Sequence, residues 1–178
     1  MEHLQKWSEG IFLGIPMRQW QTDLWLWEKF FLDHKIKRFV ELGTGNGGMS
    51  LFFLLQSYQY DFDFHTFDIK IPVAIESRIV RLLLNLDVNF VLGDIYTEKE
   101  WFVRGILESD YTAMLYCDNG DKPKEVATFA PYLKSGDYLA VHDWKVEIKP
   151  ENIPDYLEEC FTELPDEVGS LTRWFVKK

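Results

Sequence analysis

Residues 39–50 read FVELGTGNGGMS: a short apolar run, an acid, four glycines in quick succession, and then apolar residues again. Glycine weakens the interior of a strand or helix, so Gly43, Gly45, Gly47 and Gly48 need a local reason. A strand that turns tightly into a helix supplies one. Gly43 permits the turn, Gly45 lets the backbone approach a ligand, and Gly47 or Gly48 lets the helix pack close to the strand.

The same alternation runs outward from this unit. KRFVELG (37–43) reads as a strand and GGMSLFFLLQSY (47–58) as a helix. DFDFHTFDI (61–69) is a strand, and PVAIESRIVRLLLN (72–85) a helix with Pro72 suited to its first turn. VNFVLGD (88–94) is a strand, and TEKEWFVRGILES (97–109) a helix that Thr97 would cap, with Glu100 completing a capping box. AMLYCD (113–118), KPKEVATFAPYL (122–133) and DYLAVHD (137–143) continue as strand, helix, strand. A short helix, ENIPDYLEECF (151–161), follows, and LTRWFVKK (171–178) closes as a strand hairpinned with FTELPDEV (161–168). Ahead of all this, Trp20, Leu24, Trp27 and Phe31 recur at helical spacing within residues 17–34, predicting an amphipathic helix whose stripe faces the core.

Repeated strand–helix units with near-continuous apolar strands predict an α/β fold. We expect a doubly wound, Rossmann-like, mostly parallel seven-stranded sheet with helices on both faces and a C-terminal antiparallel hairpin. The 178 residues fit a single domain, 1–178, with 1–35 as a helical cap segment. The net charge of −10 argues against nucleic acid and anionic membranes, which need a basic patch. The basic cluster HKIKR (34–38) reads as a helix C-terminus. Two cysteines, Cys117 and Cys160, make no disulfide scaffold, and no signal-peptide pattern is seen, so a cytoplasmic protein is expected.

In such sheets ligands lie beyond the carboxyl ends of the strands. Those ends carry Glu41, Asp68, Asp94, Asp118 with Asn119 and Asp121, and His142 with Asp143. A carboxylate at every tip suits a polyhydroxylated ligand in one cleft. Asp68 can accept ribose hydroxyls, and Asp94 an amino group such as adenine N6. The pattern acid-x-G-x-G-x-G places Glu41 where a pyrophosphate would be repelled. S-adenosylmethionine (SAM), with an ammonium, a sulfonium and no phosphate, is favoured over NAD.

Glu41 to Gly47, Asp68 and Asp94 resemble the successive motifs of class I SAM-dependent methyltransferases. CDNGDKPKEVATFAPYLKSGDYLAVHDW (117–144) is similar to the branch holding the cephalosporin-hydroxylase-like and macrocin O-methyltransferase groups, as is the lead-in at 12–31. The resemblance implies that Glu41, Gly43, Thr44, Gly45, Asn46 and Gly47 surround the methionine part of SAM. It puts Asp68 on the ribose, Ile69, Asp94 and Ile95 by the adenine, and Asp118 and Asn119 near the transferred methyl. It further implies a divalent metal, Mg²⁺ or Ca²⁺, on Asp118 and Asp143. The pattern departs at His142, where an acid is expected, and at Trp144. His142 as a general base is thus the alternative to a metal, and mutual orientation of His142 and Asp143 is a third reading. Lys122 is a weaker candidate for activating the acceptor and reads first as a solvent-facing residue of its helix.

The expected activity is O-methylation of a small-molecule hydroxyl. Its rival is a SAM-binding protein without transferase activity, a sensor or partner subunit. A short chain leaves little room for an acceptor domain, so a homodimer partner or the aromatic N-terminal segment is expected to complete the pocket.

Overall fold

The structure is a computed structural model and describes residues 10–70, 89–165 and 169–178. The helix expected over 72–85 lies outside the described residues.

Two short strands, β1 (Ile11–Phe12) and β2 (Ile15–Pro16), pair as a small antiparallel hairpin. Helix α1 (Gln21–Asp33) follows. Then come β3 (Arg38–Leu42), α2 (Gly48–Tyr60), β4 (Asp63–Asp68) and β5 (Asn89–Leu92). Helix α3 (Lys99–Phe102) runs on into a π-helical turn, Val103–Leu107. Strand β6 (Ala113–Cys117), α4 (Lys122–Phe129) and β7 (Tyr138–Val141) follow. Last are α5 (Asp155–Cys160), β8 (Phe161–Glu163) and β9 (Arg173–Lys177).

Seven strands form one sheet in the order β5-β4-β3-β6-β7-β9-β8. The first five are parallel neighbours, and β9 joins antiparallel between β7 and β8. This is the doubly wound sheet with a C-terminal antiparallel hairpin that the alternation predicts. The chain leaves β3 toward β4 and β5, then returns to β6 on the other side of β3. The ends of β3 and β6 therefore flank the switch point, where such sheets hold ligands.

Successive strand residues feed two cores. Val40, Leu42, Leu115, Cys117, Leu139 and Val141 face a core with Phe102 and Phe129. Phe39, Met114, Tyr116 and Ala140 face another, with α1 and α2. Period-2 alternation with both faces apolar is what burial on both sides demands. At the centre of the second core sits Trp27, fully buried, with six aromatic ring centroids at 5.0–5.9 Å.

Two expectations are corrected. The stripe of α1 faces the core through Trp27 and Phe31, with Leu24 packed at its edge, but Asp23, Leu26 and Phe30 are buried too and Trp20 lies outside the helix. Trp20 is the N-cap, its N–H donating to Asp23 Oδ2 at 3.0 Å, so the helix starts one turn later. Thr97 does not cap α3. Its hydroxyl turns back to Asp94 Oδ2 at 3.4 Å, and Glu98 holds the cap position.

Candidate functional site

The glycine loop joins β3 to α2, and each glycine answers to a different neighbour. At Gly43, φ +102°, an added Cβ would lie 2.6 Å from the Asp118 carbonyl oxygen. Its reason is therefore the close approach of the β3 and β6 ends as well as the turn. At Gly48 the Cβ would meet the Pro16 and Ile15 carbonyl oxygens at 2.5 and 2.8 Å, so this glycine lets the start of the helix pack against the β1–β2 hairpin. Gly47, φ +86°, caps α2. Gly45, φ +55°, has nothing within 4 Å of an added Cβ among the described residues. A side chain there would point into open space at the switch point.

Asp68, at the end of β4, holds that loop. Its Oδ2 accepts the Gly45 N–H at 2.9 Å and its Oδ1 the Lys70 N–H at 3.0 Å. It stays partly exposed, and Ile69 beside it is 62% exposed, free to cover a flat ligand. Thr44 is buried, its hydroxyl 2.7 Å from that of Thr66, and Asn46 is half-buried.

Glu41 does not meet the ligand as a charge. It is fully buried, and its Oε2 accepts from the Ser50 hydroxyl and, at 2.6 Å, from the Thr66 hydroxyl. Burial pushes its carboxyl up to about 8, against those two hydrogen bonds. The group is neutral at physiological pH, and Oε1 has no hydrogen-bond partner among the described residues. Asp94 is exposed just beyond the end of β5, and its Oδ1 accepts the Tyr96 N–H at 2.9 Å. The side chain of Ile95 is buried in the core. The acidic tips thus do not all line one cleft.

The β6 and β7 ends do converge. Asp118 Oδ1 lies 3.0 Å from His142 Nδ1, and Asp143 Oδ2 lies 3.3 Å from the same nitrogen. Neither contact has the alignment of a hydrogen bond. Burial opposes a charge on His142, but the carboxylates of Asp118 and Asp143 outweigh it and push the imidazole up to about 10. Asp143, in turn, is held well below the usual carboxylate range by His142 and Lys122 despite its burial. Asp143 has φ +55°, a left-handed backbone that Asp tolerates better than most residues. Asn119 donates its backbone N–H to Glu125 Oε2 at 3.4 Å, and the Asp121 N–H reaches Oε1 at 3.4 Å. Buried Glu125 ties down this loop, its own carboxyl pushed up to about 8 by burial.

Two more residues join the cluster, one expected in solvent and one that the sequence reading did not name. Lys122 is 3% exposed, not solvent-facing. Its ammonium lies 2.7 Å from Glu147 Oε2, 3.0 Å from Asp143 Oδ2, 3.1 Å from the Asn119 carbonyl oxygen and 3.8 Å from Asp118 Oδ1. Burial works against the ammonium, but these carboxylates outweigh it and hold its pKa above the usual value. Its position four residues after Asp118 was the available signal. Gln19, from the lead-in to α1, donates through Nε2 to Asp118 Oδ2 at 2.7 Å and to the Tyr116 hydroxyl at 2.9 Å. It is 2% exposed, and nothing local in the sequence marks it.

Asp118, His142 and Asp143 offer three ligand atoms within 4.8 Å of one another, the spacing of a metal set. The fit is nevertheless poor. Mg²⁺ and Ca²⁺ take oxygen donors, whereas this set includes an imidazole. The buried Lys122 ammonium already sits against Asp143 Oδ2.

Solved structures share this architecture. A protein described as a caffeoyl-CoA O-methyltransferase from Staphylococcus aureus superposes with a TM-score of 0.64 at 15% identity, over 92% of this chain and 86% of that one. The apo-structure of CmcI gives 0.66 at 16% identity, over 94% and 76%. An S-adenosylhomocysteine (SAH)-bound methyltransferase from Podospora anserina gives 0.61 at 13% identity, over 91% and 80%. No family model matches the sequence, and no curated protein matches it. The chain has the seven-stranded Rossmann-like fold of the class I SAM-dependent methyltransferases.

Proposed function

We propose that the chain is a SAM-dependent methyltransferase, acting on a hydroxyl of a small molecule. The observation that carries this reading is Gly45. It stands at the switch point with no atom within 4 Å of an added Cβ among the described residues, and its N–H is bonded to the Asp68 carboxylate, which supports a ligand lying against this loop. Asp68 would accept from the ribose hydroxyls of SAM, Ile69 would cover the adenine, and the loop from Gly43 to Gly47 would flank the methionine end. SAM, when bound, supplies an electrophilic methyl group.

The chain's own task is to align an acceptor and take its proton, and orientation is the larger part. Asp118 sits at the tip next to the glycine loop and is the carboxylate placed to receive that proton. The Asp118 and Asp143 carboxylates favour the protonated imidazole of His142, which suits it to positioning them rather than to acting as the base. Together with Lys122 it favours the ionised acceptor oxygen, as nearby positive charge does. Divalent-metal assistance is disfavoured by the imidazole donor and by Lys122, and no step here depends on it.

Among the described residues no helix is long and apolar enough to cross a membrane. The two unpaired cysteines fit a cytoplasmic setting.

Gln19 favours a second reading. Its amide is buried against Asp118, closing one face of the carboxylate, as in a protein that binds SAM without transferring from it. The test is SAH release, read by mass spectrometry, from SAM and a panel of sugars, polyols and phenols, beside calorimetric binding of SAH. Binding with release that Asp118→Asn abolishes supports the transferase. Binding without release from any acceptor supports the second reading, and absence of binding overturns both.

A further inference from the structure

Lys122 opens α4, where Asp121 caps the helix by accepting the Lys124 N–H at 3.2 Å and Pro123 fixes the first turn. Its side chain does not leave for solvent, as lysines at helix starts ordinarily do. It folds back under the β6 and β7 ends, 3% exposed. An ammonium has three protons to give. Here it meets Glu147 Oε2 at 2.7 Å, Asp143 Oδ2 at 3.0 Å and the Asn119 carbonyl oxygen at 3.1 Å, a full complement.

The surroundings are built to receive it. The Asp143 carbonyl oxygen accepts from the N–H groups of Val146, Glu147 and Ile148, at 3.0, 2.9 and 3.3 Å. That tight turn, entered through the left-handed backbone of Asp143, brings Glu147 back over the lysine. The Asp143 oxygen that faces His142 Nδ1 is the same oxygen that Lys122 contacts.

We propose that Lys122 is the built-in cation of this cluster: its ammonium, held among Asp118, Asp143 and Glu147, takes the place a divalent ion would need, so the site excludes metal. The service of this cation to an acceptor oxygen rests on the methyltransferase reading; the exclusion of metal does not. A fixed lysine supplies one positive charge without demanding an ion from solution. It also leaves Asp118 free of coordination, so that a proton can reach it.

The test is a titration with Mn²⁺, which accepts both carboxylate and imidazole donors, read by loss of the free-ion paramagnetic signal. The full-length wild type is expected to leave Mn²⁺ free into the millimolar range. Lys122→Met uncovers two carboxylates beside His142, their ligand atoms within 4.8 Å of one another, and is expected to gain affinity by about tenfold or more as a local positive charge is removed, with Mn²⁺ displacing the imidazole proton if that nitrogen joins the shell. Adding Asp118→Asn to that variant should abolish the gain. Lys122→Arg, which keeps the charge, should gain nothing. Should Lys122→Met fail to fold, the wild-type titration still decides: micromolar Mn²⁺ binding by wild type overturns the proposal. So does a folded Lys122→Met that binds no better than wild type. SAH binding is scored separately, so failure of the cofactor reading is distinguishable from failure of this one.

Discussion

Gly43 and Gly45 share a left-handed backbone but not a neighbourhood, and the difference is measurable. At Gly43 a Cβ would press on the Asp118 carbonyl oxygen at 2.6 Å and the Asn119 Cα at 2.9 Å. These are backbone atoms of the next strand's end, anchored by the Asp118 N–H on the Leu42 carbonyl at 3.0 Å, and no side-chain rotation relieves them. Gly43→Ala therefore combines overpacking with a disfavoured φ, about 2–6 kcal/mol together. Gly45→Ala meets only the left-handed penalty, ~1–2 kcal/mol. In a domain of this size each kcal/mol moves the melting temperature by roughly 2–4 °C, so Gly43→Ala should melt roughly 4–24 °C below wild type and Gly45→Ala roughly 2–8 °C below. Both variants are followed by circular dichroism in one buffer, with SAH affinity measured on whichever stays folded. Gly45→Ala should lose affinity while remaining folded. A Gly43→Ala protein that melts no lower than Gly45→Ala would refute the close approach of the β3 and β6 ends, and with it the placement of the site.

Trp27→Ala removes the fully buried hub of six rings and should cost about 3–5 kcal/mol in chemical denaturation, with unchanged SAH affinity per folded molecule. Glu41 has its carboxyl pushed up to about 8 by burial, from 4.5 when exposed. Its contribution is therefore full below pH 4.5 and is lost as pH rises toward 8, by at most about 1.4 kcal/mol per pH unit. Glu41→Gln should flatten that part of the stability–pH curve; an unchanged slope would mean that Glu41 is ionised in the fold. Gly48→Ala should unseat the β1–β2 hairpin from α2, read as faster proteolysis near residues 10–17, while the sheet persists.

The sheet was legible because its signals are local and repeated. Apolar runs at 37–43, 113–118 and 137–143, each followed by a helix pattern or a turn, fix strand identity, and the parallel order follows from the handedness of crossovers. The positions of Asp68, Gly45 and Asp118 at the strand ends were legible for the same reason: they follow strands directly. Glu41 was misread because its fate depends on Ser50 and Thr66, which reach it only through α2 and β4. Asp94 follows its strand as expected, but its bonds to the Tyr96 N–H and the Thr97 hydroxyl are choices spacing cannot reveal. Lys122 and Gln19 depend on long-range packing, the latter on contact between residues 19 and 118. Helix α1 was found with a wider buried face than its spacing suggested, since the aromatic core it enters also takes Leu26 and Phe30.

The central claim is that the loop from Gly43 to Gly47, with Asp68, holds the adenosyl donor. Calorimetric titration of wild type and Asp68→Ala with SAH, and of wild type with NAD⁺, tests it most directly. We expect micromolar SAH binding to wild type, a loss of on the order of tenfold or more in Asp68→Ala, as a pair of charge-assisted hydrogen bonds is removed, and no heat with NAD⁺. Binding of NAD⁺ in place of SAH, or SAH affinity untouched by Asp68→Ala, would contradict the account.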